Sequence, residues 1–257
     1  MRSDIMENMT KLEARQRAEK LKALINRYRY LYHVLDKTEI SEEALDSFKK
    51  ELFDLEQKFP DLITSDSPTQ RVGGEPLEKF SKVRHSKPML SFNDAFSKED
   101  IEDWLERNQK LLPETEKKEV DFYCEPKLDG LAIELVYQKE ILKTGSTRGD
   151  GVWGEDVTQN LKTIEPLPLK LRRTSDIIKD LEKQGLFAIA KSIIKEKGLA
   201  NLVVRGEAII AKKDFLKINR EQAKRGLSLY ANPRNLAAGS VRQLNPKVTA
   251  SRSLDVN

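Results

Sequence analysis

Lys127 stands in the run Glu125-Pro126-Lys127-Leu128-Asp129-Gly130, and a lysine amine is a nucleophile for phosphorus only once it has lost its proton. An ammonium has no lone pair to offer, so desolvation or neighbouring cations must favour the neutral form. Two other residue types suit the same chemistry. Glu125 and Glu207 are carboxylates placed to serve a ribose, an adenine edge or a magnesium ion bridging phosphate oxygens. Arg148, in Ser146-Thr147-Arg148-Gly149-Asp150-Gly151, can stabilise charge on a phosphate in transit. Each has an ordinary alternative. Lys-x-Asp-Gly also describes a surface lysine beside a hairpin turn, exposed glutamates are the norm, and Gly145, Gly149, Gly151 and Gly154 match neither a Walker loop nor the strand-to-helix dinucleotide fingerprint well, so they read better as hairpin glycines.

The elements that must position these groups are readable. The β-prone run Val120-Asp121-Phe122-Tyr123-Cys124-Glu125 predicts a strand ending just before Lys127, Asp129-Gly130 a turn, and Leu131 to Tyr137 a second strand. Leu202 to Ala211 predicts a strand holding Glu207. Asn232 as cap with Pro233 at the first helical position predicts a helix. Arg234 and Arg242 are eight positions apart, about two turns, and share a side of it; paired acids would account for them as well as a ligand would.

Upstream, Leu21, Leu24, Ile25, Tyr28, Leu31, Tyr32 and Leu35 recur at helical spacing over Thr10 to Leu35, with Thr10 and Glu13 as a capping box. Ser41 caps a second helix with Ala44, Leu45, Phe48, Leu52 and Leu55 on one face. Together they predict a helical hairpin. The Pro- and Gly-punctuated stretch after Phe59-Pro60 up to Pro88 reads as an extended connection. Ser97 to Leu112 predicts a short helix with Ile101, Trp104 and Leu105 facing inward. Ser175 to Gly198 is helical, rich in Lys and Glu, and carries no visible chemistry. The fold class is α+β, in three parts: helical residues 1–62, the connection 63–90, and the mixed helix-and-strand residues 91–257.

Composition narrows the class further. A 34% charged content and a mean hydropathy of −0.61 point to a soluble chain. No apolar stretch approaches the roughly 20 residues that span a bilayer, and Met1 to Arg17 has no signal-like apolar core, so a cytoplasmic location without membrane attachment is expected. The single cysteine, Cys124, excludes an internal disulfide framework and a multi-cysteine zinc site, and reads as a small buried strand residue. A net charge of +4 argues only weakly for nucleic acid.

Cys124 to Gly130, Ser146 to Gly151, Val204-Arg205-Gly206-Glu207, and Ala231-Asn232-Pro233-Arg234-Asn235-Leu236-Ala237-Ala238-Gly239-Ser240-Val241-Arg242-Gln243-Leu244 together closely resemble the adenylation domain of bacterial NAD-dependent DNA ligases. The resemblance extends upstream through Pro88-Met89-Leu90-Ser91-Phe92 and Tyr32-His33, in the family's order. It implies a nucleotidyltransferase (ATP-grasp-like ligase) domain of antiparallel sheets and flanking helices behind a helical domain that grips the nicotinamide mononucleotide half of NAD. By resemblance, Lys127 is the adenylated nucleophile; Tyr32, His33, Glu42, Asp46, Ser91, Phe92, Glu125, Arg148 and Glu207 bind NAD; Arg234 and Arg242 face DNA phosphates. It also implies magnesium, with manganese as an alternative, no zinc and no protein metal cage within this chain, a monomer, and nicked double-stranded DNA as partner.

The chain departs from the family at Glu42-Glu43-Ala44-Leu45-Asp46, where the usual pattern is an Asp, two variable residues, then Tyr-Asp. Asp46 is kept and Glu42 keeps the charge, but Leu45 replaces an aromatic able to stack on the nicotinamide ring, so altered NAD capture is expected. The sequence also stops at Leu254-Asp255-Val256-Asn257, before two further lysine-bearing motifs of the family. The expectation is an incomplete ligase, crippled in self-adenylation and unable to seal nicks. Two rivals stand beside it: a degenerate nucleotide- or DNA-binding fragment, and an ATP-dependent nucleotidyltransferase sharing the lysine motif.

Overall fold

In a computed structural model, residues 9–35, 37–72, 77–113, 121–195 and 201–257 are described. Helices α1 (Lys11–Leu35) and α2 (Glu42–Lys58) form the expected hairpin. Local caps fix both starts: the Thr10 hydroxyl accepts from the Glu13 amide at 3.3 Å while Glu13 accepts from the Thr10 amide at 2.8 Å, and the Ser41 hydroxyl accepts from the Ala44 amide. The facing stripes bury Ala14, Ala18, Leu21, Ile25, Leu52 and Leu55, joined by Leu62 of the short 3₁₀ turn Pro60–Leu62 after α2, with Leu45 and Phe48 packed at the margin. At roughly 1.5–3 kcal/mol per buried large aliphatic side chain, that seam holds the hairpin together.

The stretch read as an extended connection is more structured than its Pro and Gly content suggests. Pro68–Val72 makes a 3₁₀ turn, and β1 (Lys82–Arg84) pairs antiparallel with β4 (Trp153–Glu155). A four-stranded antiparallel sheet, ordered β3 (Ile141–Thr147), β2 (Leu131–Gln138), β5 (Leu202–Ile210) and β6 (Leu254–Val256), forms the centre of the second unit. Its alternation separates two faces. Ile133, Leu135, Tyr137, Ala208 and Ile210 turn to a core shared with Leu161 of α4 (Thr158–Lys162) and with Leu236, Ala237 and Val241 of α8 (Pro233–Val241). The opposite face carries Glu134, its register partners Ser146 and Arg205, and Glu207. Outside the sheet, α5 (Thr174–Lys183) and α6 (Phe187–Lys195) form the Lys- and Glu-rich excursion. Helix α7 (Lys212–Lys224) leads from β5 to α8, and α9 (Pro246–Ala250) precedes β6.

Three local expectations are corrected. No strand forms over 121–129, and Val120 lies outside the described residues; Cys124 is exposed there rather than buried in a strand. The reason is edge supply: β2, the neighbouring strand, is already paired on both sides by β3 and β5, and β-propensity without a partner edge does not make a strand. Helix α3 (Lys98–Gln109) forms behind a complete Ser97–Asp100 capping box, yet buries none of its residues. Ile101 is 51% and Trp104 44% exposed, Trp104 touching only the exposed Phe122 ring among the described aromatic contacts.

Tyr137 illustrates how the core constrains the rest. Its ring is buried and its hydroxyl donates to the Pro168 carbonyl at 2.8 Å. Burial pushes the phenol up to about 12. A folded value above the unfolded one of about 10 means stability that is complete below pH ~10 and lost as pH rises through about 12. Replacing Tyr137 with Phe should therefore flatten the alkaline limb of stability between those values, read from denaturant midpoints across the pH series.

Candidate active site

The polar face of the sheet is the floor of a cleft of about 1350 Å³. It is lined by Glu125 to Gly130, Met89 to Phe92, Arg148 to Asp150, Trp153 to Glu155, and by Arg234, Asn235 and Ala238 of α8 with Arg242 at its C-cap. The Lys127 side of the cleft is pinned to the sheet by Gly130, whose amide donates to Glu207 Oε1 at 3.0 Å. The approach is so close that a Cβ on Gly130 would stand 2.2 Å from the Ala208 carbonyl oxygen. Only glycine fits there. Gly130→Ala should displace the Lys127 segment and destabilise the chain by about 1–3 kcal/mol, the usual cost of overpacking, read as a lowered denaturant midpoint together with lost occupancy of the cleft by AMP.

Arg148 follows β3 directly, its amide donating to the Ala132 carbonyl, and its guanidinium donates to the Ser91 hydroxyl at 3.2 Å. The turn that aims it needs Gly149 at φ +55, where a side chain would meet the Trp153 carbonyl. Asp150 closes this turn by accepting from the Trp153 and Val152 amides at 2.7 and 2.8 Å. Those amides hold its carboxyl below the usual carboxylate range.

The cleft thus brings together Lys127, Ser91, Phe92, Glu125, Arg148, Glu207, Arg234 and Arg242. Lys127 is exposed within it. Tyr32 and Asp46 do not line it: Tyr32 is half exposed late in α1, and Asp46 pairs with Lys49 on α2. The side chains of His33 and Glu42 lie outside the described residues. Leu45, at the position of the family's aromatic, is packed against the hairpin core. Arg234 of α8 and Arg242 at its C-cap are both engaged by acids: Arg234 pairs with Asp129 at 3.3 Å, and Arg242 grips Glu155 through two bonds of 2.6 and 2.8 Å.

Sequence reasoning missed His85, Glu134 and Arg205. His85 Nδ1 lies 2.9 Å from Glu134 Oε1, His85 Nε2 lies 3.1 Å from the Arg148 carbonyl oxygen, and Arg205 Nε donates to Glu134 Oε2 at 2.9 Å. The signal that was available is Glu134 itself, a carboxylate in the middle of an apolar strand, which burial forbids unless it is paired.

A profile of the NAD-dependent DNA ligase adenylation domain matches residues 77–196 and 184–257, and one of the DNA ligase-like, N-terminal NAD+-binding domain matches residues 11–73. The chain belongs to the NAD-dependent DNA ligase family. Relatives named DNA ligase include those of Geotalea daltonii, 44% identical over 248 residues, and Syntrophobacter fumaroxidans, 47% identical over 242. A third, from a Thermoanaerobacter species, is 44% identical over 245 residues. The matches cover 96%, 94% and 95% of this chain but 34%, 33% and 32% of the relatives, so the chain spans about a third of their length. The junction between the two profiles, between residues 73 and 77, follows the 3₁₀ turn at Pro68–Val72.

Proposed function

We propose that this cleft accepts an adenylyl group from NAD onto Lys127, as the first step of joining nicked DNA. The Lys127 amine attacks the adenylyl phosphorus; the new P–N bond replaces the P–O bond to nicotinamide mononucleotide, which leaves, and the amine gives up a proton. In a longer ligase the adenylate then passes to the 5′ phosphate at a nick, and the neighbouring 3′ hydroxyl closes it. The observation that carries the reading is the convergence of Lys127, Glu207 and Arg148 on one cleft, in a chain of this family. Residues 1–62 are proposed as the part that meets the nicotinamide mononucleotide half, through Tyr32, His33, Glu42 and Asp46, and 91–257 as the adenylation unit beyond the connection 63–90.

Within the cleft, Ser91, Phe92, Glu125 and Glu207 are proposed to hold the nucleoside, and Arg148 the phosphate. Magnesium would supply neutralisation of phosphate charge. Among the described residues no three His, Cys, Asp or Glu side chains gather to cage an ion, while the Asp129 carboxylate is ion-paired with Arg234 and that of Glu207 accepts from the Gly130 amide. That donor set fits an ion carried mostly by substrate phosphates and water, the usual habit of magnesium.

Because Lys127 is exposed here, its amine is solvated, and adduct formation by this chain alone is proposed to be slow. Incubation with NAD and magnesium, followed by intact-mass measurement, tests this. Slow gain of one adenylate from NAD in preference to ATP supports the reading, and rapid labelling overturns the impairment. Labelling from ATP instead makes the chain an ATP-dependent nucleotidyltransferase. Thermal stabilisation by nucleotide with no adduct at all makes it a binding fragment.

DNA is proposed to meet Arg234 and Arg242, and in the structure each must first leave its acid. Replacing Glu155 with Gln should therefore strengthen duplex binding and steepen its salt dependence by about one phosphate contact, seen as a slope change of about −0.9 in log K against log salt. An unchanged slope argues against Arg242 as a phosphate ligand.

A further inference from the structure

We infer that His85 is a positioning residue for the cleft, held with both ring nitrogens protonated between the Glu134 carboxylate and the Arg148 carbonyl. The inference deepens the adenylation reading and rests on it for its functional consequence, though not for its structural part.

The argument starts from complementarity. The His85 side chain is fully buried and Glu134 nearly so. Each imidazole nitrogen faces an acceptor: Nδ1 the Glu134 carboxyl at 2.9 Å, Nε2 the Arg148 backbone oxygen at 3.1 Å. A backbone carbonyl only accepts, so Nε2 must carry a hydrogen. At Nδ1 the question is which partner holds the proton. Arg205, reaching across from β5, already donates to the other carboxyl oxygen of Glu134 and forms an ion pair with it. A cation on one oxygen favours the ionised carboxylate, which leaves Nδ1 as the second donor. A neutral ring would place a bare lone pair against either the carbonyl or the carboxylate, with both side chains closed off from bulk solvent.

The surroundings are built for the ring. Gly154 of β4 packs closely here: a Cβ on it would stand 1.8 Å from the Thr147 carbonyl oxygen and 3.1 Å from His85 Nε2. The His85 amide donates to the Val152 carbonyl, and the Met89 amide to the Gly151 carbonyl. Arg205 donates further to the carbonyls of Pro88, at 2.9 Å, and Lys87. Among the described residues the ring is bonded to the Glu134 carboxyl from β2 and, through it, linked to Arg205 from β5. Through them, three separate chain segments are locked in register: 85–91, the turn after β3, and the sheet floor. Those first two segments carry Ser91 and Arg148, which meet at 3.2 Å in the cleft. His85 touches no reacting atom, yet it fixes the two backbones that present the nucleotide contacts. Counting a protonated ring, the trio holds two positive charges and one negative beneath a cleft assigned to an anionic ligand.

The chain has only two histidines, His33 and His85, so imidazole nitrogen spectra of the ¹⁵N-labelled chain hold two ring systems, and His85→Asn assigns them. The expected result is two protonated nitrogens on His85 in the native chain and in Lys127→Ala, with one proton lost in Glu134→Gln. One protonated and one bare nitrogen in the native chain overturns the inference without recourse to any variant. Positioning is read separately by amide hydrogen exchange. In His85→Asn or Glu134→Gln, the Met89 and Arg148 amides should exchange at least tenfold faster, while amides between β2 and β5 keep their protection. Unchanged exchange at Met89, or uniform acceleration throughout the sheet, overturns the positioning role. Titration with AMP closes the functional part: His85→Asn should weaken it at least tenfold, and unaltered affinity removes the link to the cleft. If the native chain takes no AMP at all, the adenylation reading fails, whereas the nitrogen and exchange measurements still decide the case for His85.

Discussion

Lys127→Ala should abolish adenylate incorporation from NAD, leaving the intact mass unchanged after incubations long enough to label the native chain. The effect is expected to be total rather than graded, because no neighbouring group in the cleft offers an equivalent nucleophile from the same backbone position. The other lysine lining the cleft, Lys82, is carried by β1 and not by the Lys127 segment. Lys127→Arg sharpens the test. It keeps the charge and much of the reach, but a guanidinium stays protonated and is no nucleophile at neutral pH. If adenylation needs only a cation at this place, arginine should retain part of it; if it needs an amine that sheds its proton, arginine should be as inert as alanine. The unfolding midpoint of both variants should match that of the native chain, since Lys127 is exposed and anchors no core contact. Undiminished labelling in either variant would move the adduct to another residue.

What was legible in the sequence was what neighbours in the chain decide. Thr10 with Glu13, Ser41, and Asn232 before Pro233 announce helix starts because the cap and the amide it satisfies are three residues apart. The two central strands show in their alternation, and the lysine motif shows because its chemistry is carried by a contiguous run. What stayed hidden depends on partners distant in sequence. Asp121 to Glu125 has the composition of a strand, but β2 has no free edge for it. The apolar side of α3 reads as inward-facing until the fold shows that it is not covered. His85 meets Glu134 across 49 positions, and Arg242 meets Glu155 across 87; neither pairing leaves a mark on local periodicity.

The largest loss of stability is expected at Arg71, a residue with no part in the chemistry. It closes the 3₁₀ turn after the helical hairpin and is almost completely buried. Its guanidinium donates to the carbonyls of Lys162 at 3.1 Å, Ile164 at 2.8 Å and Leu167 at 2.7 Å, at and beyond the end of α4. Carbonyls at a helix end lack partners of their own, and here one side chain 91 to 96 positions upstream supplies them. Arg29 of α1 grips the intervening residue, Glu165, by both its backbone oxygen and its carboxylate. The two arginines therefore join the helical unit to the adenylation unit, at the cost of burying two like charges; burial first, and the Arg29 charge second, hold the Arg71 guanidinium below its usual range. Arg71→Ala strips the donor from the Lys162 and Leu167 carbonyls and leaves Ile164 only the Leu167 amide; it should cost about 3–5 kcal/mol, or roughly 10 °C in Tm at the 2–4 °C per kcal/mol typical of a chain this size. Arg71→Met separates the two opposing contributions. It fills the same space without the charge, so if the desolvation cost of the guanidinium outweighs its bonds, methionine should be tolerated far better than alanine. Equal losses for the two would mean that the three carbonyl bonds dominate. In both variants the exchange of amides within the α1–α2 seam should stay slow, since that seam has its own core, and a native midpoint for Arg71→Ala would show that the two units are held together by something other than this clasp.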